Sequence, residues 1–181
     1  MRKAKTIIFD RDGTLIEDKN YAYKIEDLEL LPGVLEGLKL LQKEFLFFIV
    51  TNQSGIGRGY YTVEDFHIFN DHLIMILEKE NIEIIKTYFC PHKKEDRCDC
   101  RKPKTKFIDQ IISEYDVDIK ESWMIGDHPS DIQFGINAGC KTAFLTTGHG
   151  EKHINDLEIL AIKPTVISND FLSVVKQILN F

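Results

Sequence analysis

The chain reads as α/β: a Rossmann-like, three-layer parallel sheet with helices on both faces. Three observations predict it. Short apolar runs alternate with longer amphipathic ones along all 181 residues, the signature of successive β-α-β units. Asp10, Thr51 and, after Gly126, Asp127 follow three of the apolar runs directly, where open α/β sheets hold their ligands. No Gly/Ser/Pro-rich linker, internal repeat or low-complexity stretch interrupts the pattern, so residues 1–181 read as one domain, in line with about 100–200 residues per domain.

Each element has its own reason. Residues 6–9 form a buried strand ended by Asp10, and 46–50 form a second. Between them, 33–44 read as a helix, because Leu35, Leu38 and Leu41 recur at helical spacing behind Pro32. Over 63–80, Phe66, Phe69, Leu73, Ile76 and Leu77 share one helix face. Thr62 is placed to cap it, and Glu64 and Asp65 favour its dipole. Strand 86–89, helix 104–115 and strand 122–125 follow. Helix 130–138 is closed by Gly139, and strand 141–145 comes next. A short strand at 166–167 and a last helix at 171–179 complete the pattern. Trp123 and Cys140 read as core, His67 and His72 as surface. His149 and His153 read as solvated loop residues beyond the fifth strand.

Composition narrows the function classes. Lys+Arg number 23 against 29 Asp+Glu, a net charge of −6, which disfavours nucleic-acid binding. The longest apolar run, residues 45–50, is far short of the ~20 residues a membrane helix needs. The basic start runs directly into the first strand without a cleavage site, so the chain reads as cytoplasmic. No sustained heptad appears, and a monomer is the expectation.

Two constellations carry chemistry. The first is Phe9-Asp10-Arg11-Asp12-Gly13-Thr14-Leu15. On an extended chain both carboxylates point the same way. Held close they repel, and a magnesium ion between them removes that cost. The plain alternative is a turn, since Asp, Gly and Thr are common loop residues. The second is Cys90-Pro91-His92, five residues, then Cys98-Asp99-Cys100. Three thiols and one imidazole make a tetrahedral Zn2+ set of the closed, structural kind. Iron also fits thiolates, and chance clustering of reduced thiols is the other reading. A zinc ion in the loop 90–100 would stiffen the arm that carries Arg101 and Lys102.

The DxDGT string resembles the first motif of the haloacid dehalogenase superfamily of phosphatases. The superfamily's later motifs follow in order: Thr51 after the second strand, Lys102 in Arg101-Lys102-Pro103, and Asp127 in Gly126-Asp127-His128-Pro129-Ser130-Asp131. The resemblance implies a covalent aspartyl-phosphate and Mg2+ at Asp10, Asp12 and Asp127. Asp10 is then the nucleophile, Asp12 the general acid/base, and Thr51 and Lys102 stabilise the phosphoryl group. Asp131 either holds Lys102 or a metal water, or is a first-turn helix acid. The glycine-rich run 52–59 reads as a substrate-facing loop or a mobile one.

The intervals 10–51 and 51–102 leave no room for a full cap domain, so the fold is expected to be capless. With the metal loop and Arg-Lys-Pro, this resembles the subgroup of heptose 1,7-bisphosphate and histidinol-phosphate phosphatases. The strings at 18–21, 51–59, 137–142 and 147–148 are more similar to the heptose branch. The match implies a small phosphorylated metabolite as partner. It implies substrate contacts from Asp18, Lys19, Asn20, Tyr21, Thr51, Asn52, Gln53, Ser54, Arg101 and Lys102, and from His128 as a hydrogen-bond donor. The fork of Arg101 suits a second phosphate. His128 stands where some heptose enzymes have Lys, and the metal loop is the short form seen in the histidinol-phosphate branch. Histidinol phosphate is the alternative substrate, and a zinc-stabilised, non-catalytic binding module is the alternative from another class.

Overall fold

The computed structural model describes residues 3–181. In chain order the elements are β1 (Lys5–Phe9), α1 (Val34–Leu41), β2 (Phe45–Asn52), α2 (Ser54–Gly57), α3 (Val63–Lys79) and β3 (Lys86–Cys90). Then come α4 (Lys106–Glu114), β4 (Trp123–Gly126), α5 (Pro129–Ala138), β5 (Lys141–Leu145), α6 (Gly150–Ile159), β6 (Val166–Ser168) and α7 (Phe171–Leu179). The strands form one sheet in the order β3-β2-β1-β4-β5-β6, every neighbouring pair parallel. The order reverses beside β1, which pairs with β2 on one side and β4 on the other.

Alternation along β1 divides the core. Ile7 and Phe9 face one layer, where α1, α3 and α7 supply Leu38, Phe69, Leu73, Phe171 and Val175. Ile8 faces the other layer, with Val50, Met124, Ile108 and Ile111. Strands buried on both faces are what a parallel sheet requires, which is why 6–9 and 46–50 read as continuous apolar runs. A third cluster of Ile132, Phe144, Leu157 and Ile162 seats α6 on the sheet. Trp123 and Cys140 are buried as expected.

The helix ends follow local chemistry. Thr62 Oγ1 accepts from the Asp65 amide at 3.1 Å, and Asp65 returns the bond to the Thr62 amide at 2.8 Å. This reciprocal cap satisfies two donors that would otherwise have no partner. Gly139 closes α5 at φ 81°. At its start α5 reaches one residue further back than expected, with Pro129 in the first turn and His128 as the cap. Among the described residues no helix is long and apolar enough to cross a membrane.

Two expectations need correction. The stretch past β5 is not loop: α6 spans Gly150–Ile159, so His153 lies on a helix and His149 caps it. The run 54–57 is a short helix, α2, rather than open loop.

Candidate active site

The site forms where the sheet order reverses, at the carboxyl ends of β1, β2 and β4, as the crevice rule requires. The Asp10 amide donates to the Ile125 carbonyl at 2.9 Å, which ties the end of β1 to β4 and brings Asp10 beside Asp127. Thr51 is buried within the last turn of pleat of β2. Lys102 arrives from the arm after the cysteine loop, and its backbone amide donates to Asn52 Oδ1 at 3.1 Å.

Lys102 Nζ is the electrostatic centre. It donates to Asp10 Oδ1 at 2.6 Å and to the Val50 carbonyl at 2.7 Å, and it lies 2.7 Å from Asp131 Oδ1. All three of its protons are thereby used. Burial works against its charge, but the carboxylates of Asp10 and Asp131 outweigh it and hold the ammonium above the usual lysine range. Asp131 also accepts from the His128 amide at 3.1 Å, so one residue serves both as helix cap and as partner to Lys102.

Asp10, Asp127 and Asp131 offer oxygens all within 4.8 Å of one another. One ammonium does not offset three carboxylates. Burial, opposed by Lys102 and reinforced by Asp131 and Asp12, pushes Asp10 up to about 7. Burial together with Asp10 and Asp131 pushes Asp127 up to about 9. This donor set fits one divalent cation, and all-oxygen ligands suit magnesium. The backbone leaves room for it to be so tight. A Cβ on Gly13 (φ +81°) or on Gly148 (φ +52°) would overlap Asp127 Oδ2, so the Asp127 carboxylate is packed between two glycines in the left-handed region.

Asp12 is oriented differently from its neighbour. Its carboxylate takes bonds from Arg11 and, at 2.8 Å, from Gln53 Nε2, and it stands outside the three-carboxylate cluster. A cavity of about 210 Å³ is lined by Asp10, Asp12, Asp18, Thr51, Asn52, Arg101, Lys102, Asp127, His128 and Asp131. It adjoins a second of similar size that adds Asn20, Tyr21, Gln53 and Ser54. Of the expected substrate contacts only Lys19 lines neither; it pairs with Glu29 at 3.1 Å on the surface. Gln53 borders the second cavity but is itself buried. Its amide nitrogen serves Asp12 and Thr51 (2.9 Å), and its oxygen accepts from the Tyr61 hydroxyl.

Three residues at the site are not legible as such in the sequence. His149 was read as a loop residue; its Nδ1 lies 3.2 Å from Asp18 and its amide donates to Asp127 Oδ2 at 2.8 Å. Tyr61 lies in no motif and Arg11 at the variable position of one, so only burial reveals them.

Beyond Arg101 and Lys102 a larger hollow, about 520 Å³, continues the cleft along the cysteine loop. Lys93, Lys94, Arg97 and Lys104 stand around it. In that loop the ligand atoms of Cys90, His92, Cys98 and Cys100 lie within 4.8 Å of one another, with sulfur–sulfur separations of 3.1 to 3.6 Å. Roughly 3.7 Å would separate thiolates around a tetrahedral ion with ~2.3 Å bonds. Arg101 Nη1 donates to the His92 carbonyl at 3.2 Å, joining the loop to the site.

A family model for HAD-hydrolase-like proteins matches residues 99–174. The chain is 44% identical over 144 residues to D-glycero-alpha-D-manno-heptose-1,7-bisphosphate 7-phosphatase of Campylobacter jejuni, covering 79% of this chain and 83% of that protein. It is 36% identical over 160 residues to D-glycero-beta-D-manno-heptose-1,7-bisphosphate 7-phosphatase of Haemophilus influenzae, covering 81% and 87%. In structure it is similar to D,D-heptose 1,7-bisphosphate phosphatase from B. bronchiseptica, solved with magnesium and phosphate. The TM-score is 0.87 at 30% identity, over 97% of this chain and 98% of the other.

Proposed function

Since the chain belongs to the heptose-1,7-bisphosphate 7-phosphatase family of haloacid dehalogenase-like phosphatases, we propose that it removes the 7-phosphate of D-glycero-D-manno-heptose 1,7-bisphosphate. The observation that carries this substrate is the basic hollow. A bisphosphate has a second dianion to place once the first sits at Asp10, and Arg101, Lys93, Lys94, Arg97 and Lys104 suit it. Histidinol phosphate has an amine at its far end, which the same cations repel.

In this reading the Asp10 carboxylate attacks phosphorus, and the bond to the sugar oxygen breaks. Asp12 gives that oxygen its proton. Water then attacks the acyl phosphate, Asp12 takes its proton, and inorganic phosphate leaves. Thr51 Oγ1 accepts from Gln53, so its own proton is free to donate to a phosphoryl oxygen. Lys102 holds the nucleophile in place and adds positive charge beneath the phosphate. Mg2+ fits Asp10 and Asp127, with Asp12 at the rim, and when bound supplies the charge neutralisation that phosphoryl transfer needs. We read Cys90, His92, Cys98 and Cys100 as a structural Zn2+ site that holds the Arg101–Lys102 arm. The partner is a small metabolite rather than nucleic acid or membrane, and the enzyme is read as a cytoplasmic monomer, one domain over 1–181.

Phosphate release with magnesium from heptose bisphosphate and histidinol phosphate, side by side, tests it. A strong heptose preference, lost in Asp10→Asn, is the expected result. Preference for histidinol phosphate would overturn the substrate and keep the chemistry.

A further inference from the structure

Arg11 has no part in the mechanism above, yet it is among the largest fully buried side chains, 1% exposed. A guanidinium is rarely placed there without a partner. Its central carbon lies over the rings of Phe69 and Phe66, 4.8 and 5.3 Å from their centroids. Nη1 has no hydrogen-bond partner. The other edge is fully committed: Nε donates to Asp12 Oδ2 and Nη2 to Asp12 Oδ1, both at 3.1 Å. The aromatic shelf seats the guanidinium, and the paired bonds fix the carboxylate plane against it.

Gln53 completes the frame from the opposite side. Its Nε2 reaches Asp12 Oδ2 at 2.8 Å, and its own oxygen is held by Tyr61, whose ring stacks on Tyr23 at 5.4 Å. Oδ2 therefore receives two donors, from Arg11 and Gln53. Oδ1 receives Nη2 alone and keeps a lone pair. Asp12 is still partly open to the cleft, its side chain 21% exposed.

We propose that Arg11 is a positioning residue for proton transfer: it locks the Asp12 carboxylate so that Oδ1 is the oxygen that exchanges the proton. Oδ1 gives a proton to the sugar oxygen as the oxygen–phosphorus bond breaks. It takes one from water as the new oxygen–phosphorus bond forms. The proposal rests on the reading of Asp12 as the acid/base. A lysine at position 11 would keep the charge but lose the fork and its fixed plane.

The test compares two esters under single turnover with excess enzyme and magnesium. One is the better alkyl ester of the two named above, whose leaving group needs a proton. The other is 4-nitrophenyl phosphate, whose leaving group does not. Asp12→Asn is expected to slow alkyl-ester cleavage about 100-fold or more and the aryl ester less than about tenfold. Arg11→Lys should show the same selectivity, slower by about 10- to 100-fold on the alkyl ester and within about threefold on the aryl one, with the half-saturating enzyme concentration nearly unchanged. Equal losses on both esters, or none on either, while Asp12→Asn discriminates, would overturn the role of Arg11 alone. An Asp12→Asn variant that fails to discriminate overturns the acid reading and this proposal with it. If Arg11→Lys does not fold, Arg11→Met, which lays an apolar chain on the same rings, is judged by the same ratio.

Discussion

Replacing Lys102 with Met tests the electrostatics of the site most directly. Methionine fills much of the same volume, so packing changes little, but the three bonds at 2.6, 2.7 and 2.7 Å vanish together. Asp10 and Asp131 are then left facing each other, buried, with no cation between them. Removing one partner of a buried charge pair costs about 3–5 kcal/mol. With a urea slope of about 2 kcal/mol/M, the unfolding midpoint should fall by roughly 1.5–2.5 M in magnesium-free buffer at pH 8, with the cysteine-loop metal retained. Turnover should drop about 10²–10³-fold with magnesium present, the usual cost of losing one charge-stabilising donor. The double variant Lys102→Met/Asp131→Asn removes one of the opposed carboxylates. It should recover part of the midpoint and none of the activity. A single variant within about 0.3 M of the parent midpoint, or a double variant less stable than the single, would refute the reasoning.

Other expectations follow from the same geometry. Asp10 and Asp127, pushed up to about 7 and about 9, bind protons in the folded state that the unfolded chain has already released. Stability of the magnesium-free protein should therefore be greatest near the ordinary carboxylate range and fall as pH rises through 7 towards 9. Magnesium should raise the Tm more at pH 8 than at pH 5, and the reverse order in a thermal scan would count against the acidic cluster as its site. Gly13→Ala should cost about 1–2 kcal/mol for its positive φ and, through overlap with Asp127, at least about 100-fold in activity. Gly139→Ala, with the same φ but open space around it, should lose a few degrees of Tm at most and keep its activity; matched kinetics and melts on both separate the two effects. Cys98→Ser should reduce zinc from about one per chain to well under half, measured by elemental analysis, and lower kcat through the attached arm. Full zinc occupancy in that variant would remove Cys98 from the ligand set.

The parts of this molecule legible in the sequence are those whose signal is local. Strands buried on both faces must be apolar throughout, and the acid that ends such a run has few structural reasons to be there; Asp10 and Asp127 were found that way. The cysteine loop is visible for a similar reason, because its ligands lie within eleven residues. Helix α6 was not visible. Only Gly150 and Leu157 of its ten residues are buried, and Ile154 and Leu157 are a single apolar pair too short to show a repeating face. Without the helix, His149 had no reason to be placed beside Asp18. Arg11 and Gln53 fail differently: both are polar residues in polar motifs, and the sequence carries no trace that they are buried and bonded to Asp12 rather than open to a substrate. Lys19 shows the converse, a motif residue whose charge is spent on Glu29.

The position of β1 has a consequence for how the enzyme comes into being. It precedes the other five strands of the sheet in sequence, but it lies in the middle of that sheet, and its partner β4 begins only at Trp123. The backbone bond that sets Asp10 beside Asp127 joins residues 10 and 125, and Asp127 is itself held by the amide of residue 149. A chain emerging from the ribosome therefore displays Asp10 long before it owns a pocket. Contacts of such sequence separation form slowly and late. Phosphate-ester chemistry thus begins only once residue 149 has been synthesised, and a prematurely terminated product lacking β4 would be inert rather than indiscriminate.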